Sequence, residues 1–167
     1  KLNKVGICGS DLHIYAGHSG YDWLSYPLVL GHEMTGVVVQ TSDLEDRDLI
    51  GKRVVVNPYI PCGTCEYCQK GFENRCDNNR FFSEKKPPQS LQYGFRQHGG
   101  MAEYISVPKE NAVPVQDDVT DDVAAISEAI AVGLTAVEKV NGVDEKTFVI
   151  FGPGPIGLSI ASLLIGL

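Results

Sequence analysis

The stretch CGTCEYCQKGFENRC, residues 62–76, places four of the chain's five cysteines within one short run. Gaps of two residues let neighbouring thiolates turn towards one ion, and zinc prefers four such donors in a tetrahedron, each sulfur at about 2.3 Å. Four sulfurs leave no open coordination position, so an ion held there has a structural role. The spacing therefore predicts a closed zinc site made by Cys62, Cys65, Cys68 and Cys76.

Two other interpretations of this cysteine run stay open. The first is disulfide or redox chemistry, but a chain of 167 residues with 43% hydrophobic composition has core enough to fold without such bridges. In a reducing compartment, a cysteine cluster is more often a metal site. The second is a zinc-ribbon interaction module, although ribbons usually pair two CxxC knuckles across a longer hairpin. The mixed charge of the run is also unlike a phosphate-binding surface.

The composition limits the partners and the compartment. The formal net charge of −7 gives no electrostatic attraction to nucleic acid or to an anionic membrane. No apolar run reaches the roughly 18–20 residues that a membrane helix needs, and the first residues lack a signal-peptide pattern. We therefore expect a cytoplasmic protein with neither a nucleic-acid nor a membrane partner.

A second set of candidate ligands lies outside the cysteine run. Cys8 stands in GICGSDLH (6–13), and His32 and Glu33 stand in GHEMTG (31–36). A thiolate, an imidazole and a carboxylate with an open fourth position form the ligand set of a catalytic zinc. Taken singly, a cysteine is most often a small buried apolar residue, and a lone histidine is usually a satisfied polar one. The residues alone leave this second site open.

The residue pattern predicts a β-rich first part followed by helices. Strands are expected where β-branched residues concentrate, at 37–40, 50–56, 99–108 and 147–151. The cysteine lobe at about 57–80 and the segment 81–98 carry little periodicity and are expected as loops. A helix over 120–140, capped by Thr120 and interrupted at Gly133, is followed later by an apolar helix after residue 157.

The motif GPGPIG (152–157) predicts a dinucleotide site. It follows a candidate strand and precedes a helix, the context that the fingerprint requires. Its glycines provide a tight turn, a close approach to the pyrophosphate and close helix packing, and the helix start directs free N–H groups at the phosphates. The cofactor contacts are expected at Gly152, Gly154, Pro155, Ile156 and Gly157. The acidic residue that separates NAD from NADP is expected about 20 residues further on.

Taken in order, GICGSDLH, GHEMTG, the cysteine run and GPGPIG resemble the zinc-dependent medium-chain alcohol dehydrogenases, in the polyol, sorbitol and L-idonate 5-dehydrogenase-like branch. The resemblance implies a mainly β catalytic domain, a GroES-like partly open barrel with a zinc lobe, followed by the first β-α unit of a Rossmann α/β domain. The expected boundaries are 1–140 for the catalytic domain and 141–167 for a truncated NAD(P)-binding domain. Relative to the family, the chain is expected to be a fragment.

The resemblance also implies which residues bind metal at the second site. Cys8 and His32 match the first two ligands of the catalytic zinc, and Glu33 matches the carboxylate beside it. Glu128 falls where the polyol-oxidising branch has a glutamate that binds zinc directly or through a water. Two zinc ions per chain, one catalytic and one structural, are therefore expected.

Three further residues match the family's proton-handling groups. Ser10 matches the hydroxyl that takes the proton of the substrate alcohol, His13 a later member of that relay, and Asp11 a carboxylate that hydrogen-bonds a ligand histidine. The implied function is oxidation of a secondary alcohol (a polyol, diol or sugar acid) to a ketone with hydride transfer to NAD(P)⁺, in a homo-oligomer. The fragment alone is expected to be inactive. The alternative is a zinc-stabilised binding or structural module without turnover, which would hold one zinc.

Overall fold

The computed structural model describes residues 1–77, 92–140 and 146–166. The chain divides into two compact units, Lys1–Ala125 and Ile126–Leu167. The end of the predicted cysteine lobe and most of the predicted loop at 81–98 lie outside the described residues. In the ranges that are described, every helix is too short or too polar to cross a bilayer.

The first unit is built on one antiparallel sheet of four strands in the order β1-β2-β3-β4. In the central pair, Thr35 lies opposite Val55, and Thr35 and Met34 are among the largest fully buried side chains. β-branched residues dominate β3, which suits a half-buried pleated surface. The strands are β1 Leu2–Gly6, β2 Glu33–Val37, β3 Arg53–Val56 and β4 Ala112–Pro114.

Three predicted strand positions need correction. The strand expected at 37–40 is β2, which begins at Glu33 and ends at Val37, so most of it precedes the predicted range. The strand expected at 50–56 begins only at Arg53, because the chain turns at Gly51, where φ is +86°. No strand forms over 99–108. There the chain makes only scattered backbone bonds, such as Gly100 N–H to the Gly31 carbonyl at 2.8 Å.

Short helices connect the strands of the first unit and carry the candidate ligands. Helix α1 spans Gly9–Tyr15 between β1 and β2, and α2 spans Glu66–Gln69 in the cysteine lobe. The buried apolar residues form two core clusters, one around Ile14, Leu24 and Phe95 and one around Met34, Val56 and Tyr93. Helix α1 therefore packs through Ile14, while β2 packs through Met34. A third α-helix among the described residues of this unit is α3, Asp121–Ala125, and short 3₁₀ helices span Leu44–Leu49, Glu73–Arg75 and Lys109–Asn111.

The predicted helix over 120–140 is two helices. Thr120 caps α3 as expected, since its Oγ1 accepts the Val123 N–H at 3.4 Å. The break falls at Ile126, after which α4 runs over Ser127–Glu138. Gly133 does not interrupt α4. A Cβ added there would lie 3.0 Å from the Ser159 Cβ, so the glycine allows α4 to pack closely on the last helix of the second unit.

The end of the second unit agrees with the prediction only in part. Helix α5, Pro155–Gly166, follows the glycine turn as expected. The predicted strand at 147–151 is wrong, because these residues pair with no other described segment. Val149 is 74% exposed and Phe151 is 94% exposed. A strand is stabilised by its ladder and by burial of its side chains, and this segment has neither.

Candidate metal centres

The cysteine lobe brings four sulfurs into one cluster. Cys65 and Cys68 are held by α2, and Cys76 directly follows the short 3₁₀ helix Glu73–Arg75. The four Sγ atoms lie within 4.8 Å of one another. The separation is 3.5 Å for Cys65–Cys68 and 4.0 Å for Cys62–Cys68 and for Cys65–Cys76. Sulfurs at about 2.3 Å from a tetrahedral zinc are about 3.8 Å apart, so the cluster has the size that zinc needs.

Disulfide chemistry does not describe these sulfurs. A disulfide places its sulfurs at about 2.05 Å, and all the separations in the lobe are longer. None of the five cysteines forms a disulfide. The prediction that the four thiols share one closed site without a bridge is therefore consistent with the geometry.

Hydrogen bonds within the lobe stabilise one thiolate more than another. The backbone N–H and hydroxyl of Thr64, together with the Cys65 N–H at 3.3 Å, lower the pKa of Cys62 to about 6. Burial and the neighbouring thiols raise the pKa of Cys68 to about 12. Cys62 is therefore the thiol that ionises more easily. A bound cation would be needed to stabilise all four thiolates together near neutral pH.

A second cluster forms where α1 and β2 meet. Cys8 is the N-cap residue of α1, Glu33 begins β2, and His32 directly precedes that strand. One ligand atom from each lies within 4.8 Å of the others. His32 is 4% exposed and Glu33 is 6% exposed. Three donors of different chemistry with a position left open match the donor set of a catalytic zinc, so these residues fit that ion.

Asp11 holds the two halves of this second cluster together. Its Oδ2 accepts the Cys8 backbone N–H at 2.9 Å, and its Oδ1 accepts the Gly31 N–H at 3.1 Å. Asp11 is 2% exposed. Burial would raise its pKa, but the nearby His32 imidazole and the hydrogen bonds from the two amides lower the pKa below its ordinary value. A buried carboxylate therefore stays ionised beside the candidate ligands.

The His32 ring is oriented by contacts on two sides. Its Nδ1 lies 3.7 Å from Asp11 Oδ1, which is ion-pair range and too long for a hydrogen bond. Burial alone would lower the pKa of His32, but Asp11 and then Cys8 raise it to about 9. The Phe95 ring lies 4.9 Å from the imidazole, centroid to centroid. With Nδ1 facing Asp11, the Nε2 atom is the one left to face a metal.

The predicted proton-handling residues lie on α1. In the described part of the chain, the buried Ser10 Oγ has no hydrogen-bond partner, and neither does the buried His32 Nδ1. Burying a hydroxyl without a hydrogen-bond partner costs free energy. Ser10 is therefore a candidate to hydrogen-bond a bound ligand. His13 lies three residues further along the same helix, where it contacts the exposed His18.

The remaining candidate residues belong to the second unit. Glu128 lies in the first turn of α4, half-buried, and its role at a metal stays a prediction. In the glycine motif, Gly152 has φ +98°, and a Cβ on Gly157 would lie 2.0 Å from the Gly152 carbonyl oxygen. Pro155 begins α5, and the Leu158 N–H bonds the Gly154 carbonyl at 2.9 Å. These facts give a tight turn closed against a helix start.

Sequence reasoning expected a close backbone approach at Gly31 but missed three residues around the second cluster, Phe95, Gly94 and Gly99. Phe95 gives no local signal, because its contact with His32 joins residues far apart in the chain. Gly31 has φ +92°, a conformation that favours glycine, and it accepts close packing from two other glycines, Gly94 and Gly99. The paired glycines at 99–100 were the only available signal for that close approach.

Comparison with known proteins gives a family for the first unit. Residues 1–117 match the family described as the alcohol dehydrogenase GroES-like domain. The starvation-sensing protein RspB of Escherichia coli K12 is 33% identical over 166 residues, which cover 99% of this chain and 45% of that protein. The L-idonate 5-dehydrogenase (NAD(P)⁺) of the same strain is 36% identical over 163 residues, covering 97% of this chain and 45% of the relative.

A solved structure agrees with these relatives. RspB from Escherichia coli CFT073, described as a short-chain alcohol dehydrogenase complexed with NADH, has a TM-score of 0.83 at 33% identity. The likeness covers 100% of this chain and 45% of that one. The chain therefore spans a little less than half the length of the proteins that it matches.

Proposed function

This chain belongs to the zinc-dependent medium-chain alcohol dehydrogenase family, and we propose that the protein carrying it oxidises a secondary alcohol to a ketone with NAD(P)⁺. The family membership supports an alcohol oxidoreductase. The observation that carries the proposal is the convergence of Cys8, His32 and Glu33 within 4.8 Å, next to the partnerless hydroxyl of Ser10 on α1.

We assign the ligands as follows. Cys8 and His32 hold the catalytic zinc, with Glu33 or Glu128 completing its protein ligands. The four cysteines of the lobe hold a structural zinc, which their spacing and separations support. The pyrophosphate of the cofactor is bound by the glycine turn and the start of α5, at Gly152, Gly154, Pro155, Ile156 and Gly157. The tight turn and the helix that follows it support this assignment.

Different residues of this chain then have different roles in the oxidation. When bound, zinc supplies Lewis acidity towards a hydroxyl oxygen, and the nicotinamide supplies a two-electron acceptor. Ser10 relays the hydroxyl proton, its Oγ taking that proton as it gives up its own, because this buried oxygen has no hydrogen-bond partner among the described residues. His13 passes the proton outwards from its exposed position. The Asp11 carboxylate faces the His32 imidazole at ion-pair distance and fixes the orientation of the ring.

The substrate class is supported by several relatives. Besides the L-idonate enzyme, a sorbitol dehydrogenase of Bacillus subtilis is 33% identical over 159 residues. We infer a polyol, diol or sugar acid with a secondary hydroxyl. Such substrates are small and neutral or anionic, and their oxidation needs no nucleic-acid or membrane partner.

The proposal is tested by metal content and turnover of the protein that carries the chain. We expect two zinc ions per chain by elemental analysis and reduction of NAD⁺ or NADP⁺ with L-idonate or sorbitol. Ser10→Ala should keep both zinc ions while lowering kcat by about 10²–10⁴-fold, since it removes only the proton acceptor. One zinc per chain with no turnover on any secondary alcohol would instead establish the binding or structural module.

A further inference from the structure

A row of aromatic rings links the second cluster to an arginine. The Phe95 ring lies 4.9 Å from the His32 imidazole, centroid to centroid. Trp23 stacks on Phe95, with the centroids 6.3 Å apart and the ring planes 14° apart. The Arg96 guanidinium lies over the Trp23 ring, with its Cζ 4.6 Å from the ring centroid. Consecutive contacts therefore join a candidate zinc ligand to a positively charged side chain.

Backbone contacts fix the position of this arginine. Arg96 lies in a tight turn, where its N–H donates to the Gln92 carbonyl at 3.0 Å. In the same turn, a Cβ on Gly94 would lie 2.8 Å from the Gly31 carbonyl oxygen, so the turn packs directly on the residue before His32. Arg96 follows Gly94 by two residues, a span of at most about 7 Å. The backbone of Arg96 is therefore held near the second cluster.

The Trp23 ring that supports the guanidinium is also held in place. Its Nε1–H donates to the Gly20 carbonyl at 2.8 Å. The ring is half-buried and packs against the core cluster that contains Ile14 and Phe95. An arginine placed over an aromatic ring keeps the N–H groups that bind a carboxylate through two parallel hydrogen bonds. Trp23 thus positions the guanidinium without using those donors.

The charge of Arg96 suits an anionic ligand. Burial lowers the pKa of its guanidinium, and an anion that binds there stabilises the charged form again. The chain has a formal net charge of −7, which gives small anions no general attraction to its surface. An anionic substrate therefore needs a local positive charge, and the row of rings places one beside the candidate zinc ligands.

We propose that Arg96 binds the carboxylate of the substrate whose hydroxyl is oxidised at the second cluster, so that the site prefers sugar acids to neutral polyols. This inference rests on the function proposed above and narrows its substrate class. In a six-carbon acid, the carboxylate carbon and the fifth carbon are about 5 Å apart when the chain is extended. With a metal bond of about 2 Å at one end and a hydrogen bond of about 3 Å at the other, the substrate bridges about 10 Å. This reach is of the same order as a row in which two rings separate His32 from Arg96.

The test uses the fluorescence of Trp23, which is the single tryptophan of the chain and lies against the guanidinium. We expect titration of the zinc-loaded chain with L-idonate to change this fluorescence, with an affinity about 10–100-fold higher than that for L-iditol. L-iditol is the same carbon chain with the C1 carboxylate reduced to a hydroxymethyl group, so the two ligands differ only at that end. Arg96→Met should remove the difference in affinity, and Arg96→Lys should keep part of it.

Arg47→Met is the matched control. It removes the same charge from an exposed position in the 3₁₀ helix Leu44–Leu49, outside both clusters, and should leave the preference for L-idonate unchanged. Zinc content measured on every variant shows whether both clusters are retained. Equal affinities of the unchanged chain for L-idonate and L-iditol, or a preference that survives in Arg96→Met, would overturn the inference.

Turnover by the protein that carries the chain separates this inference from the proposed function. We expect the ratio of kcat/KM for L-idonate to kcat/KM for L-iditol to fall about 10–100-fold in Arg96→Met. If neither compound is oxidised while L-idonate still binds through Arg96, the proposed function fails and the carboxylate site stands. If both are oxidised at a ratio that Arg96→Met leaves unchanged, the function stands and the role of Arg96 is refuted.

Discussion

The carboxylate of Asp11 and the backbone N–H of Gly31 are joined by a buried hydrogen bond of 3.1 Å. The other oxygen of the same carboxylate accepts the Cys8 N–H at 2.9 Å. Because Gly31 directly precedes His32, one side chain fixes the separation between the thiol and the imidazole proposed to bind zinc. The backbone amides of Cys8 and Gly31 thus help to position the two proposed ligands through Asp11.

Asp11→Asn should destabilise the protein. An asparagine has one acceptor oxygen, so its amide nitrogen would face one of the two N–H donors that Asp11 now satisfies. A buried donor without a partner costs about 1–3 kcal/mol in unfolding free energy. Urea unfolding of both proteins measures this loss. Asp11→Asn with an unchanged midpoint would contradict the proposed tie between α1 and the turn before β2.

The acid side of the stability curve should depend on the same residue. The folded pKa of Asp11 is lowered, so its contribution is present above the unfolded pKa of about 3.9 and is lost as pH falls through the folded value. The difference in unfolding free energy between the unchanged protein and Asp11→Asn should therefore shrink below about pH 4. Denaturant titrations at several pH values measure it. A difference that grows with falling pH would refute the assigned direction.

Gly99→Ala should be strongly destabilising. A Cβ at Gly99 would lie 2.1 Å from the Gly31 carbonyl oxygen and 2.7 Å from the Gly94 Cα, and backbone atoms cannot move aside as side chains can. We expect a loss of about 2 kcal/mol or more, together with weaker zinc binding at the adjacent His32. Gly9→Ala is the control, since a Cβ there meets nothing within 4 Å. Equal thermal midpoints for the two variants would count against the close packing.

The two cysteine-containing clusters should respond differently to loss of a thiol. Cys76→Ser removes a fully buried member of the four-sulfur cluster, so one zinc and the folding free energy that it provides should both be lost. Cys8→Ser should also lose one zinc but lower the thermal midpoint less, because Asp11 still joins the surrounding backbone. Calorimetric melting with zinc analysis checks both. A larger drop for Cys8→Ser would reverse the structural and catalytic assignments.

Local patterns predicted which candidate ligands lie close together better than they predicted the strands. The close spacing from Cys62 to Cys76 carries its chemistry within one run, and the structure gathers those sulfurs. The strand at 99–108 failed because its pattern of β-branched residues competes with the close approach of Gly99 and Gly100 to Gly31, which no local rule contains. The break at Ile126 likewise arises where one compact unit ends and another begins.

The segment 147–151 shows that β-strand propensity alone does not predict a strand. Its β-branched and aromatic residues favour a strand, yet a strand needs a neighbour, and none of the described residues pairs with it. The contact between His32 and Phe95 could not be predicted from local sequence either, since it joins residues from distant parts of the chain. In both cases the deciding partner lies outside the local sequence.

The two hydrogen bonds that Asp11 accepts from the Cys8 and Gly31 amides also bear on which metal ion the protein binds in a cell. Asp11 fixes the spacing of the backbone around Cys8 and His32, but a thiolate, an imidazole and a carboxylate are donors that several first-row ions accept. Intrinsic preference for such donors rises along the first-row series to copper and falls at zinc. Zinc occupancy then depends on how tightly the cell restricts its copper and nickel, so metal supply governs the content of this site.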